Sequence, residues 1–494
     1  MNSPKDLDPS PNNMGVARRF FQLLNAQNVV YCHWKSIDHL DDSYEAKTDL
    51  DVLVERHDSH LLESVARGIG FIECDTPNLR TYPGVRDLVC YDPLFDRFVH
   101  LHLHCQLVMG DRWTKAYRVP VEREILDRRV WCEEYDTYTV SPEDEFWMCV
   151  LRMAWKYKRP FSRSRVRREL SEISSRFDKN SLAKISYLMT VLPSSFGGIV
   201  MSVVENDFSQ ATKLVRSVRR DGSIYLRYHS LVFHMISIVR FSFRVLVEVL
   251  RKKLGIWRYG RRRLMNGGFS VAIVGIDGSG KTSLIERNLE FFARQLDVQA
   301  VFMGGGRSGA SFWRKPLFLA LDIKNIFQSD VDKNESSRKR KHKSMGIVRG
   351  VFHGLLSLDR LARLKVIHRS RSNGRLVLID RWPQVGHKAV LDGPKLSDLL
   401  DSNSRFKRLL SALEKRAFDR ANQIKPDLIL QLLVSAKTAM SRKPGEMTLS
   451  TADDLVACFQ SLDFGNIPIV SIDAELPSHK VDVIVREMIF RNLL

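Results

Sequence analysis

The stretch Gly275-Ile-Asp277-Gly278-Ser279-Gly280-Lys281-Thr282-Ser283 directly follows the apolar run Phe269-Ser-Val-Ala-Ile-Val274. The run has the length and composition of a buried strand, and the glycines behind it give a tight turn into a helix. In such a loop, successive backbone N–H groups and a helix N-terminus surround phosphoryl oxygens. Gly275 and Gly280 allow the turn, Lys281 reaches the outer phosphates, and the Thr282 hydroxyl is placed to hold Mg²⁺. Asp277, Gly278, Ser279 and Ser283 complete the cradle. The motif with its flanks predicts a nucleoside triphosphate site.

Outward from this loop, strand and helix signals alternate. Strands are expected at 269–274, 299–303, 375–380, 427–433 and 467–472, a pattern that predicts an α/β fold with a parallel sheet covered by helices on both faces. Residues 329–345 interrupt it with a charged, low-hydrophobicity insert. Its basic run Arg338-Lys-Arg-Lys-His-Lys343 reads as a solvated loop rather than a nucleic-acid contact.

At 494 residues the chain is too long for one core, so two to four domains are expected. A formal charge of +20 and a pI near 9.7 favour an anionic partner without choosing one. Seven cysteines are scattered with no C-x-x-C pair, which argues against a disulfide framework and for a reducing compartment. The first residues, MNSPKDLDPSPNN, carry no apolar core of the signal-peptide kind. Together these predict a cytoplasmic protein.

Five segments are expected. Residues 1–14 form a disordered tail, 15–140 a small α/β domain, 141–222 a helical domain, 223–264 a basic amphipathic helix and linker, and 265–494 the phosphate-loop domain. Ser141-Pro-Glu-Asp-Glu opens the helical segment as a capped N-terminus with Pro and acids in the first turn. Within 223–253, Arg240, Arg244, Glu248 and Arg251 recur at helical spacing inside an apolar run, which favours an amphipathic helix over a membrane crossing. With the basic flank Arg258-Tyr-Gly-Arg-Arg-Arg263, this helix either lies peripherally on the anionic inner membrane surface or packs between domains.

Asp380-Arg381-Trp382 ends the third expected strand of the C-terminal domain, at the carboxyl edge where open α/β sheets bind ligands. The carboxylate suits Mg²⁺, shared with Thr282, or an acceptor hydroxyl, and the guanidinium suits charge on a transferred phosphoryl group. Farther on, Arg442 and Lys443 fall in a basic stretch suited to close over phosphates.

The segments GIDGSGKTSL, LIDRW, PDLILQLLVSAKTAMSRK and VSIDAELPSHKVDVIV together resemble the thymidylate kinase family across 265–494. That resemblance implies ATP and Mg²⁺ at Lys281 and Thr282, acceptor-side roles for Asp277, Asp380 and Arg381, and a lid role for Arg442. Trp382 stands where the family has tyrosine.

In the N-terminal half, Thr48-Asp49-Leu-Asp51-Val-Leu-Val sets two carboxylates on one face of a strand, a spacing that can share a divalent metal. Preceded by Tyr31-Cys-His-Trp34-Lys35-Ser36, it is similar to the nucleotidyltransferase superfamily, with Lys35-Ser36 in place of Gly-Ser. The strand expected to carry a third acid reads His100-Leu-His102-Leu-His104, three histidines on one face. Either the domain works with altered metal ligands, or it is a substrate-binding relic. The whole order resembles bifunctional proteins of bacterial surface-polysaccharide gene clusters.

The expectation is therefore an ATP- and Mg²⁺-dependent phosphotransferase of thymidylate kinase type acting on a nucleoside monophosphate such as dTMP. The alternatives are a sugar or lipid-linked glycan acceptor, or an ATP-binding scaffold without transfer.

Overall fold

The computed structural model describes residues 14–493 except 36, 76–81, 83, 111–114, 158, 179, 182–191, 228–230, 254–261, 306–346, 387–391 and 445–447. The insert at 329–345, and all but the last residue of the expected tail, lie outside the described residues. The chain divides into two compact units, 1–262 and 263–493.

The first unit begins with the helix Val16–Ala26 and contains strands β1 (Tyr31–His33), β2 (Leu50–Val54), β3 (Ile72–Asp75), β4 (Val85–Asp92), β5 (Arg97–His104), β6 (Leu107–Met109), β7 (Tyr117–Val119), β8 (Val130–Cys132) and β9 (Thr137–Thr139). Its main sheet runs β3-β4-β5-β2-β1-β9-β8. β2 and β5 are parallel, and β4 and β5 antiparallel. On β5 the period of two sends Val99, Leu101 and Leu103 to one face, all fully buried, and His100, His102 and His104 to the other. Packing on the aliphatic alternation thus fixes where the histidines point. At one end of the sheet Phe21 stacks on Tyr31 of β1 with ring centres 5.5 Å apart, holding the first helix against the sheet.

The helical segment starts where its signature placed it. Ser141 caps the helix Pro142–Lys156 by accepting from the Asp144 N–H, and Phe146, Trp147, Val150, Leu151 and Ala154 sink into a core shared with helices Ser164–Ser174, Ser194–Val204 and Phe208–Asp221.

The helix Leu231–Lys253 is formed as expected from its periodicity. Met235, Ile236, Val239, Phe243, Leu246 and Leu250 are all exposed. At 3.6 residues per turn they fall within about 100° of arc. Among the described residues, no helix is long and apolar enough to cross a membrane.

The second unit holds β10 (Arg263–Leu264), β11 (Phe269–Gly275), β12 (Val298–Phe302), β13 (Leu376–Asp380), β14 (Leu428–Leu433) and β15 (Ile469–Asp473). Five of these form a sheet in the order β12-β13-β11-β14-β15, every pair parallel. The fold class is the one expected, with all five strands within two residues of their anticipated bounds. The central strands read as continuous apolar runs because helices cover both faces, so neither face needs polar residues. β11 lies between β13 and β14, and the chain leaves it for helix Lys281–Phe292. Successive connections depart to opposite sides of β11, opening a crevice beyond the carboxyl ends of the strands.

Candidate functional site

The glycine-rich loop occupies the carboxyl end of β11 and runs into helix Lys281–Phe292. Gly278 and Gly280 both have φ 88°, a left-handed conformation that side chains disfavour. Gly278 is also pressed against a neighbour, since a Cβ there would lie 2.4 Å from the carbonyl oxygen of Ala439. Ser279 is buried, and Thr282 and Ser283 are exposed in the first helical turn.

Lys281 folds back onto the loop. Its ammonium donates to the carbonyls of Gly275 at 2.8 Å and Ile276 at 2.7 Å, and it is only 5% exposed. Burial first, and the nearby Arg381 second, bring its pKa down to about 8. An anion in the loop would offer this charge better partners than neutral carbonyls.

The register Ile273↔Asp380 between β11 and β13 sets Asp380 beside the loop. Thr282 donates its hydroxyl to Asp380 Oδ2 at 2.9 Å. Asp380 is 3% exposed, and its Oδ1 has no hydrogen-bond partner among the described residues. Burial raises its pKa, with the Thr282 hydrogen bond opposing. A buried, unsatisfied carboxylate oxygen next to a threonine hydroxyl is a hard-oxygen donor set of the kind Mg²⁺ takes, so the residues fit that ion.

Arg381 follows in a left-handed conformation, φ 70°, which turns its side chain back across the crevice. Its guanidinium reaches Asp277 at 2.6 Å and Asp392 at 3.3 Å. Thus Asp277, Lys281, Thr282, Asp380 and Arg381, separated by up to 104 positions, meet within one site. Arg442 closes the helix Ala436–Arg442, capped at its start by Ser435, and donates to the Ala474 carbonyl at 2.9 Å. The same helix carries Ala439 against Gly278, so Arg442 belongs to the element that packs on the loop.

Sequence reasoning missed the far wall. A small concavity of about 20 Å³ is lined in part by Gly275, Arg381, Trp382, Asp392, Phe459 and Phe464. Asp392 is also held 3.4 Å from the buried Arg360, which comes from the long helix Ile347–Ser372. The Asp392-Gly dipeptide is a turn signal and was readable. Nothing local marks Arg360, which sits among ordinary amphipathic-helix residues.

In the first unit a second polar cluster forms on the sheet face that carries the β5 histidines. Asp51 pairs in register with His102, and His102 with Asp87 of β4. Asp49 Oδ1 is 2.8 Å from His100 Nδ1, and Asp87 Oδ1 is 2.8 Å from His100 Nε2 and 2.9 Å from His102 Nε2. Asp51 Oδ1 lies 3.2 Å from His102 Nδ1 and 3.3 Å from His104 Nε2, and also takes an ion pair from Lys35. Burial would raise Asp49, yet His100 holds it down to about 2; Asp51 is likewise kept well below the carboxylate range by Lys35 and the imidazoles. Burial lowers His104 to about 4. Nothing local in the sequence marks Asp87; its role appears through register across β4 and β5. Ser36 lies outside the described residues.

No family model matches the chain. It is similar to the uncharacterized ATP-binding protein YghR of Escherichia coli, 26% identical over 214 residues, in strain K12 and in an O6:H1 strain alike. The alignment covers 43% of this chain and 82% of that protein. YghS of E. coli K12, also described as an uncharacterized ATP-binding protein, is 25% identical over 214 residues, 43% of this chain and 88% of its own length. Among solved structures, deoxyadenosine kinase from M. mycoides, with products dCMP and a flexible dCDP bound, matches at 15% identity and TM-score 0.26. That match covers 45% of this chain and 98% of the kinase.

Proposed function

We propose that the C-terminal unit binds ATP with Mg²⁺ and transfers the terminal phosphoryl group to a nucleoside monophosphate, with dTMP as the first acceptor to try. The observation that carries this is the pair Thr282 and Asp380, hydrogen-bonded at 2.9 Å beside the phosphate loop, with one carboxylate oxygen of Asp380 buried and without a partner among the described residues. The description of YghR and YghS as ATP-binding supports the donor half.

Loop N–H groups and Lys281 hold the donor phosphates, with the ammonium exchanging its two carbonyl partners for phosphoryl oxygens. Thr282 and Asp380 hold the metal. When bound, Mg²⁺ neutralises phosphate charge and polarises the transferred group. Arg381, fixed between Asp277 and Asp392, presents a guanidinium to the acceptor's phosphate and neutralises charge as transfer proceeds. Arg442, on the helix Ala436–Arg442 that already packs on the loop, shields the site from water.

The test is ADP release measured across dTMP, the other nucleoside monophosphates and a panel of sugars. The expected result is turnover dependent on a nucleoside monophosphate, reduced on the order of 10³-fold in Asp380→Asn with ATP still bound. Absence of turnover with every acceptor sinks the transferase reading and leaves a nucleotide-binding scaffold.

One observation favours a peripheral location for the same protein. The exposed apolar arc Met235 to Leu250 is followed by the basic stretch Arg251-Lys-Lys. Apolar side chains entering the acyl boundary, with lysine and arginine at the headgroups, match an anionic lipid surface.

A further inference from the structure

Asp51 Oδ1 has three nitrogen neighbours: Lys35 Nζ, His102 Nδ1 at 3.2 Å and His104 Nε2 at 3.3 Å. A carboxylate oxygen offers about two lone-pair sites, so three nitrogens converge on an oxygen that two donors already saturate. The tautomer of His102 sharpens this. Its Nε2 lies 2.9 Å from Asp87 Oδ1, and an N–H there leaves the Nδ1 lone pair facing Asp51 and, at 3.9 Å, Asp49 Oδ2. That position is filled either by a second proton, which makes His102 an imidazolium donating to Asp51 as well as Asp87, or by a metal cation in place of that proton. Cationic side chains surround the cluster: Lys35, on a flexible stem and about a quarter exposed, pairs with Asp51, Arg262 reaches His100, and Lys115 lies near Asp51, Asp87 and Asp49.

We propose that the first unit holds one divalent transition-metal cation of the Zn²⁺ class on Asp51 Oδ1, His102 Nδ1 and His104 Nε2, with Asp49 at its open side and Lys35 displaced. The ligand atoms lie within 4.8 Å of one another. A tetrahedral cation with ligands at about 2.0–2.1 Å separates neighbouring ligand atoms by about 3.3 Å, close to the two separations from Asp51. Two imidazoles and a carboxylate prefer a borderline cation such as Zn²⁺ to Mg²⁺ or Ca²⁺, which take oxygen shells. Asp87 is the outer carboxylate that holds the His102 ring by its Nε2–H, the arrangement usual behind a metal-bound histidine. The sheet positions all four side chains: Asp51, His102 and Asp87 are register partners across three adjacent strands, and His104 is two residues on from His102. This site is separate from the phosphate loop and does not depend on how that loop is read.

The experiment uses the full chain, stripped with chelator and titrated with Zn²⁺ against a chromophoric chelator in millimolar Mg²⁺, with Co²⁺ as a spectroscopic probe. Expected are one tight Zn²⁺ equivalent unaffected by Mg²⁺, visible Co²⁺ bands of a four-coordinate site, and affinity lower by about 100-fold or more in His102→Ala and in His104→Ala. Asp87→Asn, a positioning change, lowers affinity about 10- to 100-fold. Lys35→Met changes no ligand residue and removes the competing ammonium from Asp51, so it binds Zn²⁺ at least as tightly as wild type; this variant keeps the test decisive if a histidine variant fails to fold. Equal Zn²⁺ binding by wild type and both histidine variants, displacement by Mg²⁺, no retained Zn²⁺, or weaker binding in Lys35→Met would each overturn the site.

Discussion

Replacing Lys281 by Met separates two quantities that a generally damaged protein would lose together. Without nucleotide, Lys281 is buried and its pKa is about 8 against an ordinary 10.5. Carrying the charge at neutral pH therefore costs the folded state about 3 kcal/mol. Met removes that cost and also removes the donor to the Gly275 and Ile276 carbonyls, a loss of about 1–3 kcal/mol. The nucleotide-free variant should thus be as stable as wild type or more so, by up to about 2 kcal/mol. The pH dependence has a definite sign. Between about pH 8 and 10.5 the unfolded chain keeps a proton on Lys281 that the folded chain has released, so wild-type stability gains from this group as pH rises through that window. Met has no such gain, and the variant's advantage shrinks. Nucleotide behaves oppositely, because a charge-assisted bond to phosphate is worth about 1.5–3 kcal/mol and its loss weakens ATP binding about 10- to 100-fold. Thermal unfolding at pH 7.5 and 10, with and without ATP and Mg²⁺, together with a fluorescent-nucleotide titration, reads both. A variant clearly less stable than wild type without nucleotide, yet binding ATP normally, refutes the reasoning.

Two further outcomes follow from the same geometry. Gly278→Ala and Gly280→Ala both place alanine at φ 88°, each costing about 1–2 kcal/mol, but among the described residues only Gly278 faces a neighbour, the Ala439 carbonyl, whereas none lies within 4 Å of a Cβ at Gly280. Denaturant unfolding and ATP titration should show the larger loss for Gly278→Ala, and equal losses would mean that the contact with helix Ala436–Arg442 is unimportant. Phe243→Ser combined with Leu246→Ser removes two exposed apolar side chains, each contributing about 1.5–3 kcal/mol when buried, so co-sedimentation with anionic vesicles should fall at least tenfold; unchanged partitioning would exclude this arc from lipid contact.

Much of the C-terminal unit was legible because its information is local. A parallel sheet covered on both faces demands continuous apolar strands, and a loop that wraps phosphate demands glycines, lysine and a hydroxyl at fixed offsets. These constraints act over a few residues, so Phe269–Gly275, the loop and Asp380-Arg381 could be read directly. In the N-terminal unit the same holds for Asp49 and Asp51, whose separation of two sets them on one face.

What the chain order could not show is which distant side chains share a site. Asp87 joins His102 only through the pairing of β4 with β5, and Arg360 meets Asp392 only after a helix packs beside the sheet. The sequence by itself determined the phosphate loop, the strand pattern and the chemical types available. Tertiary structure alone decided that Thr282 finds Asp380 across 98 positions and that Asp51 Oδ1 gathers Lys35, His102 and His104. The reason is physical: offsets along a strand or helix are set by backbone geometry, whereas register and packing are set by burial of side chains far apart in the chain.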